Sequence, residues 1–150
     1  MKSALLSVYI RPDRIYLNVS DRATTGVWIS SDRWDVLPSM APPQAIGEAT
    51  LRLAETSAEG VKHPDRHDNS YWKASIAPVM KMAKVRSWTA FTSASSFVQV
   101  RLGDVVTICP MRRDGAGFSG VLDRQITLDT VSETLIGSAV LDASTLMTGP

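Results

Sequence analysis

"QAIGEATLRLA" runs from Gln44 to Ala54, and "TLIGSAVLDA" runs from Thr134 to Ala143. Both carry the frame Ile-Gly-x-Ala-x-Leu, at Ile46 to Leu51 and again at Ile136 to Leu141. In the first copy Ile46, Ala49, Leu53 and, a step off, Leu51 and Ala54 form an apolar stripe at three-to-four spacing, which predicts a helix. Glu48, Arg52, Glu55 and Glu59 take its other face, and Gly60 reads as its stop. Pro42 and Pro43 suit a first turn, where a missing N–H is harmless. Ser132 is placed to cap the second helix.

Glycine inside a helix costs about 1 kcal/mol relative to alanine. The same cost at Gly47 and Gly137 predicts close backbone approach, with each helix lying against a strand or against its twin. A short extended piece precedes each copy, "WDVLP" at 34–38 and "QITLD" at 125–129. The result is a repeated strand–loop–helix unit. Two copies are too few for a solenoid.

Working outward, "SALLSVYI" (3–10) and "RIYLNV" (14–19) read as strands split by the turn "RPDR". "GVWISSDRWDVLP" (26–38) reads as strand, Ser-Ser-Asp turn and strand, ended by Pro38. "VKHPDRHDNSYW" (61–72) is a polar connector. "KASIAPVMKMAK" (73–84) has helical spacing, with Pro78 expected near its start or at a kink. "SFVQVRL" and "DVVTICP" form a hairpin through Gly103-Asp104, and "MRRDGAGFSG" (111–120) is a glycine-rich loop. Residues 145–150 are expected to be a loose tail. Together these elements predict one α+β domain over 1–150: a mostly antiparallel sheet with two to three helices, the two Ile-Gly helices on one face.

Composition narrows the function. The chain has 150 residues, 44% hydrophobic and 21% charged, as in ordinary globular domains. A net charge of +1 makes no electrostatic case for nucleic acid or membrane. The apolar stretch of "MKSALLSVYIRPDR" is cut short by Arg11, so it reads as a strand rather than a secretion signal. The single cysteine, Cys109, forbids an internal disulfide and fits a reducing cytoplasm.

Catalytic patterns are weak. His63 and His67 stand four apart with Asp65 and Asp68 nearby, but the polar run reads as a capped turn rather than a metal site. Cys109 reads as a buried structural thiol. "MRRDGAGFSG" matches neither phosphate-loop pattern. Lys73, Lys81, Lys84 and Arg86 read as a solvated helix face. No metal, cofactor or enzyme activity is expected.

The order of features is more specific than any one of them. "IGEATLRLAETS", "GVKHPD", "SWTAF" (87–91), "TICPMRRDGAGF" and "ITL" leading into "LIGSAVLDA" follow one another over residues 25–144. In this the chain resembles a family of immunity proteins of bacterial contact-dependent growth inhibition systems. The resemblance implies a small cytoplasmic protein that neutralises the C-terminal toxin domain of a large surface exoprotein in a one-to-one complex. It implies a toxin that is a nuclease, often one acting on transfer RNA, and inhibition by covering its active site or an adjacent surface. It also implies core packing of Trp88 and Phe91.

Nuclease inhibitors are often acidic, whereas this chain is nearly neutral, so any charge mimicry must be local. Asp32 and Asp35 flank Trp34, and Asp65 and Asp68 precede Tyr71 and Trp72. Aromatic anchors beside acids are the residues that dominate protein interfaces. The expected toxin interface is therefore the 32–35 turn (Asp32, Trp34, Asp35), the 65–72 loop (Asp65, Asp68, Tyr71, Trp72) and the 112–118 loop with Arg112 and Arg113. The alternatives are a small nucleic-acid-binding or regulatory domain using the 81–86 stretch, and an enzyme using His63, His67 or Cys109.

Overall fold

A computed structural model describes residues 2–65, 67–115 and 117–145. Its elements in chain order are β1 (Ala4–Ile10), β2 (Arg14–Ala23), β3 (Trp28–Pro38), α1 (Pro43–Ala54), β4 (Glu59–Val61), α2 (Ser70–Ala83), α3 (Trp88–Ser93), β5 (Ser96–Leu102), β6 (Val106–Asp114), β7 (Gly117–Gly120), a 3-10 turn (Leu122–Arg124), β8 (Ile126–Leu128) and α4 (Glu133–Thr145). The strands form one sheet in the order β3-β2-β1-β5-β6-β7, antiparallel throughout. β4 adds in parallel to β2, and β8 pairs antiparallel with β6 beside β7. This is the α+β class expected.

The centre of the sheet is the β1–β5 pair, with Ser7 opposite Gln99. On either side the chain repeats a plan: a hairpin, an outer strand, then an Ile-Gly helix. β1-β2-β3-α1 makes the first half and β5-β6-β8-α4, with β7 inserted, makes the second. Alternate residues of the strands turn Leu6, Val8, Ile15, Leu17, Val19, Val98, Val100 and Ile108 to one face, where Ile46, Leu53, Ile136 and Val140 of the two helices close the main core. The same six frame positions are buried in both helices: 46, 47, 49, 50, 53 and 54 in α1, and 136, 137, 139, 140, 143 and 144 in α4.

The glycines explain why. A Cβ on Gly47 would overlap the backbone of Glu133, the first residue of α4, and a Cβ on Gly137 would overlap the backbone of Pro43, the first residue of α1. Each helix lies on its twin, glycine against start, and no side chain fits between them. Ser132 caps α4 as expected, its Oγ accepting from the Leu135 N–H at 3.3 Å.

The other sheet face is aromatic. Tyr9, Tyr16 and Phe97 lie under α2 and α3, packed with Phe91, Val79, Trp34 and Trp88. Tyr9 and Phe97 stack at 4.5 Å between centroids, and Tyr9 meets Phe91 edge-on at 5.3 Å. Helices therefore cover both faces.

Several expectations need correction. There are four helices among the described residues, not two to three. "SWTAF" folds as the short helix α3 because Ser87 caps it, accepting from the Ala90 N–H at 3.0 Å. α1 ends at Ala54, before Gly60, and Glu59 lies in β4. Gly60 instead holds a positive φ of 68° in that strand. α2 begins at Ser70, so "SYW" is helical and Pro78 lies in its interior. "MRRD" continues β6, and the glycine-rich stretch turns into β7. Of the expected tail, Thr145 closes α4 and 146–150 lie outside the described residues.

The Ser-Ser-Asp turn is also absent. Residues 28–38 form one strand, because both halves pair with β2 across a bulge between the Asn18–Trp34 and Ser20–Ser30 pairs. The bulge's polar groups are satisfied internally. Asn18 Nδ2 donates to the carbonyls of Ser31 (2.9 Å) and Arg33 (3.1 Å), and the Ser31 hydroxyl donates to the Val19 carbonyl (2.6 Å).

Candidate functional site

The first half of β3, the 62–69 connector and the start of α2 enclose an open groove of about 470 Å³. Val27, Trp28 and Ile29 form one wall. His63, Pro64, Asp65 and Asp68 form the other, and Tyr71, Trp72 and Ser75 of α2 the floor and end. The bulge is what aims β3 at α2. Trp34, just past it, donates its indole N–H to the Ser75 carbonyl at 2.7 Å, and the Ser75 hydroxyl donates to the Trp72 carbonyl at 2.7 Å.

The connector is built by its own aspartates. Asp65 Oδ1 accepts from the His67 N–H and Asp68 Oδ1 from the Ser70 N–H, both at 2.9 Å. These are Asx turns, in which a short carboxylate replaces a backbone acceptor. The second seats Asp68 at the N-terminus of α2. Hydrogen bonds from Ser70 hold its carboxyl below the usual carboxylate range. The "HPD" histidine makes a local contact, His63 Nδ1 lying 2.7 Å from the Pro64 carbonyl. The connector is thus a structured turn, as its composition predicted.

The predicted interface residues divide. Asp65, Asp68, Tyr71 and Trp72 line the groove, and Asp32 joins Tyr71 in an adjoining cleft with Asp21 and Ser31. Trp72 is 41% exposed, and its ring meets Trp88 edge-on at 5.3 Å. Burial, with Asp21 nearby, raises the Tyr71 hydroxyl above its ordinary value. Trp34 lies among Tyr9, Phe91 and Trp88 at the edge of the aromatic core. Asp35 pairs with Arg52 of α1 at 2.9 Å, away from the groove.

Arg112 and Arg113 stand on β6, four strand intervals from β3, about 19 Å at the ordinary spacing. Arg113 lies over the Phe118 ring at 5.2 Å and donates to the Thr92 hydroxyl at 2.6 Å. These arginines form a second patch, apart from the groove. Lys73, Lys81, Lys84 and Arg86 are all exposed along and beyond α2, as a solvated face requires.

Sequence reasoning missed Val27, Trp28, His63 and Pro64 as neighbours in one groove. It also missed Asp21. This buried carboxylate pairs with Arg33 and accepts from the Ala58 N–H at 2.8 Å, tying β2, β3 and the segment after α1 together. The polar "SSDR" inside an otherwise apolar strand was the available signal.

No family model matches the chain, and no curated protein does. Two of the solved structures that match it do so over nearly its whole length. One is a protein of unknown function from Neisseria meningitidis, with a TM-score of 0.79 and 12% identity over 97% of this chain and 96% of that one. The other is a chain of a CdiA-CT/CdiI toxin and immunity complex from Yersinia pseudotuberculosis, with a TM-score of 0.78 and 14% identity over 99% of both chains. What the three chains share is a fold. At such identities the likeness extends to backbone architecture and not to individual side chains. The fold agrees with the α+β architecture expected from the predicted strands and helices. Among the described residues, no helix is long and apolar enough to cross a membrane.

Proposed function

We propose that this chain is an immunity protein of a contact-dependent growth inhibition system. It binds the C-terminal toxin domain of its cognate exoprotein one-to-one in the cytoplasm and performs no catalysis. The observation that carries this reading is the match, over 99% of both chains, to a chain of a toxin and immunity complex.

The groove between β3 and α2 is the proposed contact, with Asp65, Asp68, Tyr71 and Trp72 at its centre and Asp32 beside it. It combines exposed aromatic area with carboxylates, the pairing that makes protein hot spots. The β6–β7 hairpin, with Arg112 and Arg113, is a second contact at the opposite edge of the sheet. The toxin is a nuclease, transfer RNA being its proposed substrate, and the bound inhibitor covers its active site or an adjacent surface. Titration calorimetry against the C-terminal domain of the exoprotein encoded beside this gene tests the reading. Nanomolar one-to-one binding supports it, and absence of binding to that domain overturns it.

A further inference from the structure

We infer that the β3–α2 groove seats an arginine side chain presented by a loop of the protein partner. The inference rests on the immunity reading for the partner's identity, but the chemistry is that of the groove itself. Three aromatic rings line it, from Trp28, Tyr71 and Trp72, along with two carboxylates, from Asp65 and Asp68. A planar guanidinium is the group that satisfies both at once, stacking on a ring while donating to a carboxylate. Its aliphatic stem suits Val27, Ile29 and Pro64 along the walls.

The charge balance points the same way. Among the described residues neither Asp65 nor Asp68 is in an ion pair, whereas Asp13, Asp21 and Asp35 each hold an arginine. Asp65 and Asp68 each accept a backbone N–H at Oδ1 in the Asx turns, and Asp68 is also hydrogen-bonded to the Ser70 side chain. Lys62 lines a neighbouring cleft that shares Asp65 and Asp68, beyond ion-pairing distance of either carboxylate. Trp28 already takes such a contact outside the groove: the Arg22 guanidinium lies 5.4 Å from its ring centre.

The test is calorimetric titration of the toxin domain with the wild-type chain, the double variant Asp65→Asn/Asp68→Asn and the control Asp35→Asn. Asparagine keeps the Oδ1 acceptor of both Asx turns, so the connector stays folded while its charge is removed. The double variant is expected to bind roughly a hundredfold more weakly with a shallower salt dependence, the scale of a desolvated charge contact. The Asp35 variant is expected to bind like wild type. Equal affinity of wild type and double variant would overturn the groove assignment and leave the immunity reading standing. If wild type does not bind the toxin domain, the immunity reading fails, and N-acetyl-arginine amide titrated against the chain decides the groove. Shifts of the Trp28 and Trp72 indole N–H resonances, lost in the double variant, would support it; no shifts would overturn it.

Discussion

Gly47 of α1 and Glu133 of α4 touch with no room for a single carbon between them, and Gly137 repeats the contact against Pro43. The obstacle in each case is backbone, which cannot rotate aside as a side chain would. Gly47→Ala and Gly137→Ala should therefore each destabilise the fold by about 3 kcal/mol, despite the roughly 1 kcal/mol gained in helix propensity. Urea unfolding with an unchanged slope and a lower midpoint is the expected result. A stabilised variant would mean that the helices can separate freely.

Asn18 holds the β3 bulge by donating to two carbonyls from a nearly fully buried position. Asn18→Ala leaves both acceptors without that donor and should cost about 2 kcal/mol, the usual penalty for orphaned buried polar groups. Because the bulge aims β3 at α2, amide exchange should quicken at residues 28–34 more than in β5.

Removing Arg33 strands the buried carboxylate of Asp21, so Arg33→Ala should destabilise by about 3 kcal/mol in chemical unfolding. Replacing Arg52, whose partner Asp35 lies on the surface side of α1, should change stability by less than about 1 kcal/mol.

Two tyrosines set the alkaline limit. Burial pushes Tyr16 up to about 12, with the Asp13 carboxylate accepting its hydroxyl proton at 2.6 Å, and burial raises Tyr9 as well. A phenol whose folded pKa is raised contributes stability below its unfolded value near 10. That stability is lost as pH climbs from about 10 through the folded value. Carboxylates work in the opposite sense. Burial opposes ionisation of Asp13, but hydrogen bonds from Tyr16 and Arg11 outweigh it, so its folded pKa is lowered, as is that of Asp68. Their contribution is present above about pH 4, the unfolded value, and is lost as pH falls below it. Tyrosinate absorbance should rise in step with unfolding above pH 10, and Tyr16→Phe should weaken the alkaline loss.

Trp34 at the edge of the aromatic core and Trp72 in the groove should separate by phenotype. Trp34→Ala removes a ring from the aromatic core and the hydrogen bond to Ser75, and should cost about 3 kcal/mol of stability. Trp72→Ala should cost much less in unfolding and at least tenfold in affinity for the toxin domain, as an exposed anchor would.

Local pattern was enough for most elements. The hairpins β1–β2 and β5–β6 follow from apolar alternation around Pro12-Asp13 and Gly103-Asp104, and the Ile-Gly helices from their spacing. The glycine pair announced a close backbone approach, to a strand or to the twin helix, since a repeated propensity cost needs a packing reason. Where sequence reasoning failed, a longer-range partner had overridden a local signal. Ser30-Ser31-Asp32 has turn chemistry, yet β2 holds residues on both sides of it and Asn18 supplies the bonds a turn would have made. Asp35 sits beside Trp34 in sequence, but strand alternation sends it to Arg52 on the opposite face. Arg112 and Arg113 stand apart from Asp65 and Asp68, because sheet order puts three strands between β6 and β3. The sequence by itself determined the two central hairpins, the two Ile-Gly helices and the need for close backbone approach at their glycines, because those rest on local alternation, helical spacing and propensity. Only the tertiary structure decided that Trp28, Asp65, Asp68 and Trp72 share one groove, because that depends on a bulge in β3 and on α2 crossing the outer face of the sheet.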